Sequence, residues 1–185
     1  MKHKILGTNT DFFLDYKFSK IQNHFGQSCL DVGTGTGRFA QYLINQGKEV
    51  TAIDVVNKVE SDIAFHLFNG YEIPLASQSV DTTLVFFVLH HTDYQEQLLK
   101  ECKRVSRKTI IIGEDVIENK FDRIMGRIHL GTSPWSTSET GFRTDSEWKT
   151  LFYELELKLI DTVIIPRNIY PIYPVTRRIY VLQSK

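Results

Sequence analysis

Residues 30–38 read Leu-Asp-Val-Gly-Thr-Gly-Thr-Gly-Arg, and this stretch decides the fold. An apolar segment ends at an acid, Asp31, and three glycines follow at alternate positions, Gly33, Gly35 and Gly37. Glycines at this spacing let the backbone turn sharply and let a ligand approach it without a Cβ in the way. The apolar periodicity that follows predicts a helix whose first N–H groups face that ligand. The stretch therefore predicts a nucleotide-type site at the first strand-to-helix junction of an α/β fold.

Two better-known phosphate-binding loops do not fit this spacing. A P-loop requires Gly-Lys-Ser or Gly-Lys-Thr, whereas Gly37 is followed by Arg38 and Phe39. A dinucleotide loop, G-x-G-x-x-G, counted from Gly33 would need its third glycine where Arg38 stands. The carboxylate of Asp31 would also repel a pyrophosphate, but it suits an ammonium or sulfonium group. The loop therefore favours a ligand with a cationic end.

The acid followed by G-x-G-x-G resembles the first motif of the class I S-adenosylmethionine-dependent methyltransferases. A second agreement is Asp54, which ends Thr-Ala-Ile-Asp about 20 residues after the loop, the distance that one helix and one strand require. Residues 73–75 (Ile-Pro-Leu) and 79–81 (Ser-Val-Asp) resemble the family's Leu-Pro-Phe and Ser-Phe-Asp segments before its fourth strand. Residues 89–91 (Leu-His-His) look like the family's continuation. The resemblance covers roughly residues 25–115 in register.

The resemblance implies an α/β, Rossmann-like fold with a seven-stranded, mostly parallel sheet, an antiparallel C-terminal hairpin strand and helices on both faces. The hydrophobic pattern predicts strands at 28–32, 49–54, 64–68, 82–88, 109–113, 157–165 and 178–183. At 185 residues the chain is expected to form one domain over residues 1–185. Residues 1–26 are predicted as an N-terminal helical cap and residues 116–143 as a lid or substrate insertion. Thr144 and Glu147 predict a capping box that opens a helix.

The resemblance also implies S-adenosylmethionine as the cofactor and assigns residues to it. Asp31 and the loop backbone would face its methionine part, and Asp54 would bind the ribose hydroxyls. Asn69 and Gly70 lie where the family often places an acid near the adenine amino group; asparagine keeps the acceptor oxygen, and a plain Asn-Gly turn is the alternative. The predicted cofactor-binding residues are Asp31, Gly33, Thr34, Gly35, Gly37, Asp54, Val55, Asn69, Gly70 and Phe87.

Two histidines follow the predicted fourth strand, where the family opens toward the methyl group. Histidine titrates in the range useful for a base, so His91 is predicted as a catalytic residue that accepts a proton or orients the substrate. A structural hydrogen bond at the start of a helix is the alternative. His90 and Glu114 are predicted substrate contacts, Glu114 because it lies at the carboxyl edge of the sheet. The two cysteines make no zinc site, and no metal site is predicted.

Composition limits the partners that the chain is expected to have. It contains 22 basic and 22 acidic residues, so no global field draws it to nucleic acid or to an anionic membrane. Its first residues lack the apolar core of a signal peptide, and its longest apolar runs fall far short of a membrane span. A cytoplasmic protein without nucleic-acid or membrane partners is predicted. The Asn/Asp-Pro-Pro-Tyr/Phe and Pro-Cys motifs of resembling nucleic-acid methyltransferases are absent, which favours a small-molecule substrate.

Three functions follow from these patterns. The first is methyl transfer from S-adenosylmethionine to a small molecule by in-line displacement. The second is a catalytically silent S-adenosylmethionine-binding regulator or partner subunit. Unlike the enzyme, such a protein would not turn over its bound cofactor. The third is a nicotinamide-dependent oxidoreductase, which the glycine spacing disfavours.

Overall fold

A seven-stranded sheet forms the centre of the computed structural model, which describes residues 10–132, 141–169 and 173–184. The strands in chain order are β1 Ser28–Val32, β2 Glu49–Asp54, β3 Ala64–Leu67, β4 Val80–Phe86, β5 Ser106–Val116, β6 Leu157–Ile165 and β7 Thr176–Ser184. Their order across the sheet is β3-β2-β1-β4-β5-β7-β6. Strands β1 to β5 pair in parallel, and β7 runs antiparallel to both of its neighbours. The predicted fold class is confirmed.

Helices cover both faces of this sheet. They are α1 Thr10–Ile21, α2 Arg38–Asn45, α3 Gln95–Val105, α4 Lys120–Thr132 and α5 Asp145–Glu154. Alternate residues of one strand join different cores: Ile110 and Ile112 of β5 pack in the core that contains residues of α3 and α5, whereas Ile111 packs in the core that contains residues of α1 and α2. Central parallel strands buried on both faces in this way explain the nearly continuous apolar runs of the sequence.

The start of α5 follows the predicted capping box. The Thr144 hydroxyl accepts a hydrogen bond from the Glu147 backbone N–H at 3.2 Å, and the Glu147 carboxylate accepts one from the Thr144 N–H at 2.7 Å. Both otherwise unsatisfied donors of the first turn are therefore paired. Trp148, Leu151 and Phe152 of this helix are buried in the core.

Four of the seven strands differ from their predicted bounds: β3 ends one residue earlier, β7 is longer at both ends, and β4 and β5 differ most. The predicted strand 82–88 instead runs Val80–Phe86, because Phe87 has a φ of 59° and leaves the extended conformation. The predicted strand 109–113 is the centre of the longer β5, whose last residues pair with β7 and carry the buried acids Glu114 and Asp115. Glu114 and Asp115 looked like residues beyond the end of a strand, because the sequence does not show that β7 pairs with them.

The predicted insertion at 116–143 contains α4, and the apolar side of this helix is exposed. Phe121, Ile124 and Ile128 are 45%, 58% and 55% exposed. The helix is held by the fully buried Asp122, which accepts hydrogen bonds from Arg167 and Thr176. The predicted insertion and the predicted cap at 1–26 lie partly outside the described residues, at 133–140 and 1–9. No helix in the described part of the chain is long and apolar enough to cross a membrane.

Candidate functional site

A cavity of about 370 Å³ opens at the carboxyl ends of the parallel strands, the edge where ligands bind in open α/β sheets. Eight of the residues predicted for the site line it: Gly33, Gly35, Asp54, Val55, Asn69, Gly70, Phe87 and His91. The remaining lining residues, which the sequence analysis did not single out for the site, are Val56, Lys58, Phe68, Val88, Thr92, Tyr94 and Leu98. The cavity size is in the range of small-molecule and cofactor sites.

The glycine loop needs glycine for two different reasons. Gly33, Gly35 and Gly37 have φ values of 69°, 57° and 79°, in the left-handed region that side chains disfavour. A Cβ on Gly33 would lie 2.3 Å from Cγ2 of Val88, so this residue must be glycine for packing as well. A Cβ on Gly35 would meet nothing within 4 Å, because it would point into open space. Gly35 therefore leaves bare backbone beside the cavity.

Asp54 at the end of β2 connects the loop to the cavity. Its Oδ2 accepts a hydrogen bond from the Gly35 N–H at 2.8 Å, and its Oδ1 accepts one from the Val56 N–H at 3.3 Å. A carboxylate has about four lone-pair sites, so both oxygens keep capacity for two ligand hydroxyls. This arrangement matches the role that the resemblance implies for Asp54.

Asp31 lies below the loop and does not line the cavity. It is 4% exposed and accepts a hydrogen bond from the Thr34 hydroxyl at 2.7 Å. Burial raises the pKa of Asp31 to about 6, although the Thr34 hydrogen bond and the charge of Lys17 oppose the rise. Thr34 and Gly37 are also outside the cavity lining. Three residues predicted for the cofactor, Asp31, Thr34 and Gly37, thus do not line this cavity.

Lys17 of α1 belongs to this buried region, and the sequence analysis missed it. Its ammonium lies 4.9, 5.2 and 5.7 Å from the ring centroids of Phe39, Phe86 and Phe87, close enough for cation–π attraction. Burial lowers its pKa to about 8, and the carboxylate of Asp31 opposes that shift. The only sequence signal was a lysine within the apolar periodicity of the first helix.

The Asn69-Gly70 pair forms the plain turn that was the alternative interpretation. The Asn69 Oδ1 accepts hydrogen bonds from the N–H groups of Tyr71 and Glu72 at 3.1 and 2.8 Å, and Gly70 has a φ of 93°. The side-chain oxygen is therefore used by the turn. Both residues still line the cavity beside Tyr94, whose ring centroid is 5.0 Å from that of Tyr71.

The two neighbouring histidines have different environments. His91 lines the cavity, whereas His90 is 1% exposed and stacks on Phe142 with centroids 4.7 Å apart. The Nδ1 of His90 lies 2.5 Å from Oε2 of Glu114, which is fully buried. Glu114 Oε1 also accepts hydrogen bonds from the N–H groups of Val88 and Leu89. His90 and Glu114 therefore hold the turn after β4, and neither has the exposed surface for the predicted substrate contact.

A third histidine, His129 of α4, lies beside this pair. Its ring centroid is 5.4 Å from that of His90 and 5.2 Å from that of His91. Burial, with the charges of His90 and His129, lowers the pKa of His91 to about 3. Burial, with the charges of His90 and Arg177, also lowers the pKa of His129. At His90, burial lowers the pKa, but the charge and the hydrogen bond of Glu114 outweigh burial. The pKa of His90 is therefore raised. His91 and His129 are thus neutral at pH 7, and His91 accepts hydrogen bonds but is a weak proton acceptor.

The fold and the site together define an α/β protein with a cavity at the carboxyl ends of its parallel strands, and comparison with known proteins shows what this protein is similar to. Residues 30–111 match the methyltransferase domain family. The ubiquinone biosynthesis O-methyltransferases of two strains of Rickettsia bellii are 28% identical over 145 residues, covering 68% of this chain. The chain spans 60% of the length of these curated relatives.

Solved structures share the whole fold at low identity. A S-adenosylmethionine-dependent methyltransferase of Methanosarcina mazei has a TM-score of 0.72 at 16% identity, covering 89% of this chain and 96% of that chain. Magnesium protoporphyrin IX methyltransferase of Synechocystis PCC 6803, solved with bound S-adenosylhomocysteine, has a TM-score of 0.69 at 14% identity, covering 96% and 84%. The [4+2]-cyclase SpnF has a TM-score of 0.70 at 13% identity, covering 94% and 80%.

Residues 30–111 are therefore similar to the methyltransferase domain family, in a chain with the fold of the S-adenosylmethionine-dependent methyltransferases. This confirms the predicted resemblance.

Proposed function

We propose that this chain transfers a methyl group from S-adenosylmethionine to a small-molecule acceptor by in-line displacement. The observation that carries the proposal is the pairing of Asp54 with the Gly35 N–H at the mouth of the cavity. A carboxylate that could bind ribose hydroxyls therefore adjoins a stretch of backbone that no side chain covers. Both features serve a nucleoside ligand without a phosphate group.

We assign the adenosine and methionine parts of the cofactor to different sides of the loop. The adenosine part would occupy the cavity between Asp54, the Asn69-Gly70 turn and Tyr94. The methionine part would lie toward Asp31 and Lys17, whose opposite charges suit its ammonium and carboxylate groups. S-adenosylmethionine supplies an electrophilic methyl group when bound, and the chain's own task is to align an acceptor with it and exclude water.

The comparison supports a hydroxyl as the acceptor group, because the similar Rickettsia bellii proteins are named O-methyltransferases. His91 is the imidazole that lines the cavity in the described residues. With a pKa of about 3 in the ligand-free protein it is neutral at pH 7, so it would accept a hydrogen bond from an acceptor hydroxyl and orient it. We assign His91 this orienting role. The acceptor hydroxyl would lose its proton to solvent, or the acceptor would bind already ionised.

Titration calorimetry with S-adenosylmethionine, S-adenosylhomocysteine and NAD tests the cofactor assignment. We expect micromolar or tighter binding of the first two and no binding of NAD. Binding of NAD alone would overturn the proposal. A panel of phenols, catechols and small carboxylic acids, assayed by formation of S-adenosylhomocysteine, then tests methyl transfer.

A protein that binds the cofactor without transferring its methyl group remains the second candidate. The [4+2]-cyclase SpnF shares the fold, and its name is not that of a methyltransferase. Tight cofactor binding without S-adenosylhomocysteine formation for any acceptor in the panel would favour this second candidate. Turnover with one acceptor, reduced by the His91→Ala substitution while cofactor affinity is kept, would favour the enzyme.

A further inference from the structure

The three histidines His90, His91 and His129, named here the histidine cluster, are brought together from two distant parts of the chain. One ring nitrogen of each lies within 4.8 Å of those of the other two. His90 and His91 belong to the turn after β4, and His129 to the last turn of α4. Among the described residues, this is the group of histidines, cysteines and acids whose ligand atoms lie close enough to share a metal ion.

The surroundings of the cluster hold its rings in place. Glu114 bonds the Nδ1 of His90, which leaves Nε2 as the ligand nitrogen and reproduces the carboxylate–histidine pairing that orients metal-bound imidazoles. Phe142 stacks on His90, and Tyr173 stacks on His129 with centroids 5.2 Å apart. A Cβ on Gly141 would lie 2.0 Å from the carbonyl oxygen of His90, so residues 141–142 pack directly against the cluster.

A buried acid adjoins the cluster. Glu114 is fully buried beside His90, and the nearby Asp115 is paired with Arg177 at 2.9 Å. The cluster thus combines nitrogen donors with one carboxylate at its edge.

We propose that the histidine cluster binds one divalent transition-metal ion, represented here by Zn²⁺, through three imidazole nitrogens. Zn–N bonds of about 2.0–2.1 Å in tetrahedral geometry require nitrogens about 3.4 Å apart, so closure from the present spacing takes small side-chain rotations. Three imidazoles favour zinc, copper, nickel or cobalt over magnesium or calcium, which prefer oxygen ligands. Three protein ligands leave the fourth position for water or a ligand oxygen.

Two consequences follow for the molecule. The metal would fasten α4 to the turn that carries the cavity-lining His91. Its fourth position would also lie next to the cavity, where it would bind an acceptor hydroxyl, in place of the hydrogen bond from that hydroxyl to His91, and lower the pKa of that hydroxyl. The second consequence rests on the proposed methyl transfer, whereas metal binding itself does not.

The test uses the purified full chain, stripped with a chelator and titrated with Zn²⁺ against a chromogenic competitor, and with Co²⁺ to follow its visible absorption. We expect one equivalent of metal, with a tetrahedral Co²⁺ spectrum. His129→Gln and His91→Ala should each weaken Zn²⁺ binding by on the order of 100-fold or more, and Glu114→Gln by roughly 10- to 100-fold. His66→Ala, on the exposed surface of β3, is the matched control and should change nothing.

Circular dichroism of each metal-free variant shows whether it is folded, and the two cluster histidines provide independent tests. Binding that is weaker than millimolar, or that survives both His129→Gln and His91→Ala, would overturn the proposal. Zn²⁺ binding lost equally in His66→Ala would also overturn it. These titrations contain no S-adenosylmethionine, so a failure of the proposed methyl transfer leaves their result unaffected.

Discussion

The cavity has one wall made mainly of backbone and another made mainly of side chains. The first, named here the cofactor wall, consists of Gly33, Gly35, Asp54 and the turn at 69–70, all within 40 residues of sequence. The second, the histidine wall, joins the turn after β4 to Glu114, His129 and Phe142. Glycine conformation builds the cofactor wall, whereas buried contacts between distant elements build the histidine wall. Substitutions on the first should therefore change ligand affinity most, and substitutions on the second should change stability most.

The largest effect is expected from Glu114→Ala on the histidine wall. This change leaves His90 in the core without its carboxylate and removes the acceptor of the Val88 and Leu89 N–H groups. Breaking a buried ion pair on one side costs about 3–5 kcal/mol of unfolding free energy. Urea denaturation measures it. Glu96→Ala, which breaks an exposed pair with Lys100, should leave the midpoint where it is; an equal loss in both variants would contradict the comparison.

Gly33→Ala should affect both properties, because Gly33 carries the cofactor wall and packs against the histidine wall. Its new Cβ would lie 2.3 Å from Val88 at a φ of 69°. We expect a loss of about 1–3 kcal/mol in stability and a clear loss of S-adenosylmethionine affinity. Gly47→Ala is the control, since its φ is 81° but its Cβ meets nothing within 4 Å. Calorimetric binding that falls equally in both variants would show that strain alone, without the clash, explains the effect.

Asp54→Ala should change affinity with little change in stability. Loss of the charged acceptor for ribose hydroxyls should raise the dissociation constant of S-adenosylmethionine by about 10-fold or more. Titration calorimetry measures it, with Asp62→Ala, an exposed acid nearby, as the control. Wild-type affinity in Asp54→Ala would refute the assignment of this residue.

The smallest effect expected is a pH dependence of cofactor affinity from Asp31. With a pKa of about 6, this carboxyl is ionised at pH 7 and mostly protonated at pH 5. Protonation would remove the charge that we assign to the cofactor ammonium, so affinity should fall by about 10-fold as the pH drops from 7 to 5. Asp115 also has a pKa raised to about 6 by burial, so Asp31→Asn is the necessary comparison. A pH profile that is the same in Asp31→Asn and the wild type would assign the dependence elsewhere.

Much of the fold could be predicted because its signals are local. β1, β2 and β6 have the predicted bounds, and the capping box of α5 lies where Thr144 and Glu147 indicate. The cofactor wall was predicted for the same reason, since glycine spacing and one acid at a strand end both act on neighbouring backbone. By contrast, the exposed apolar side of α4 was not predicted, because periodicity identifies a face but not what covers it.

The sequence was sufficient for the α/β class, the strand-to-helix loop and eight of the residues that line the cavity, because glycine spacing and hydrophobic period are properties of short segments. The remaining contacts of the site were determined by packing between distant segments. It buried Lys17 among three phenylalanine rings, turned Glu114 from a substrate contact into the partner of His90, and placed His129 beside a pair 38 residues earlier in the chain. Such contacts depend on how helices dock on the sheet, and no local pattern in the chain records that docking.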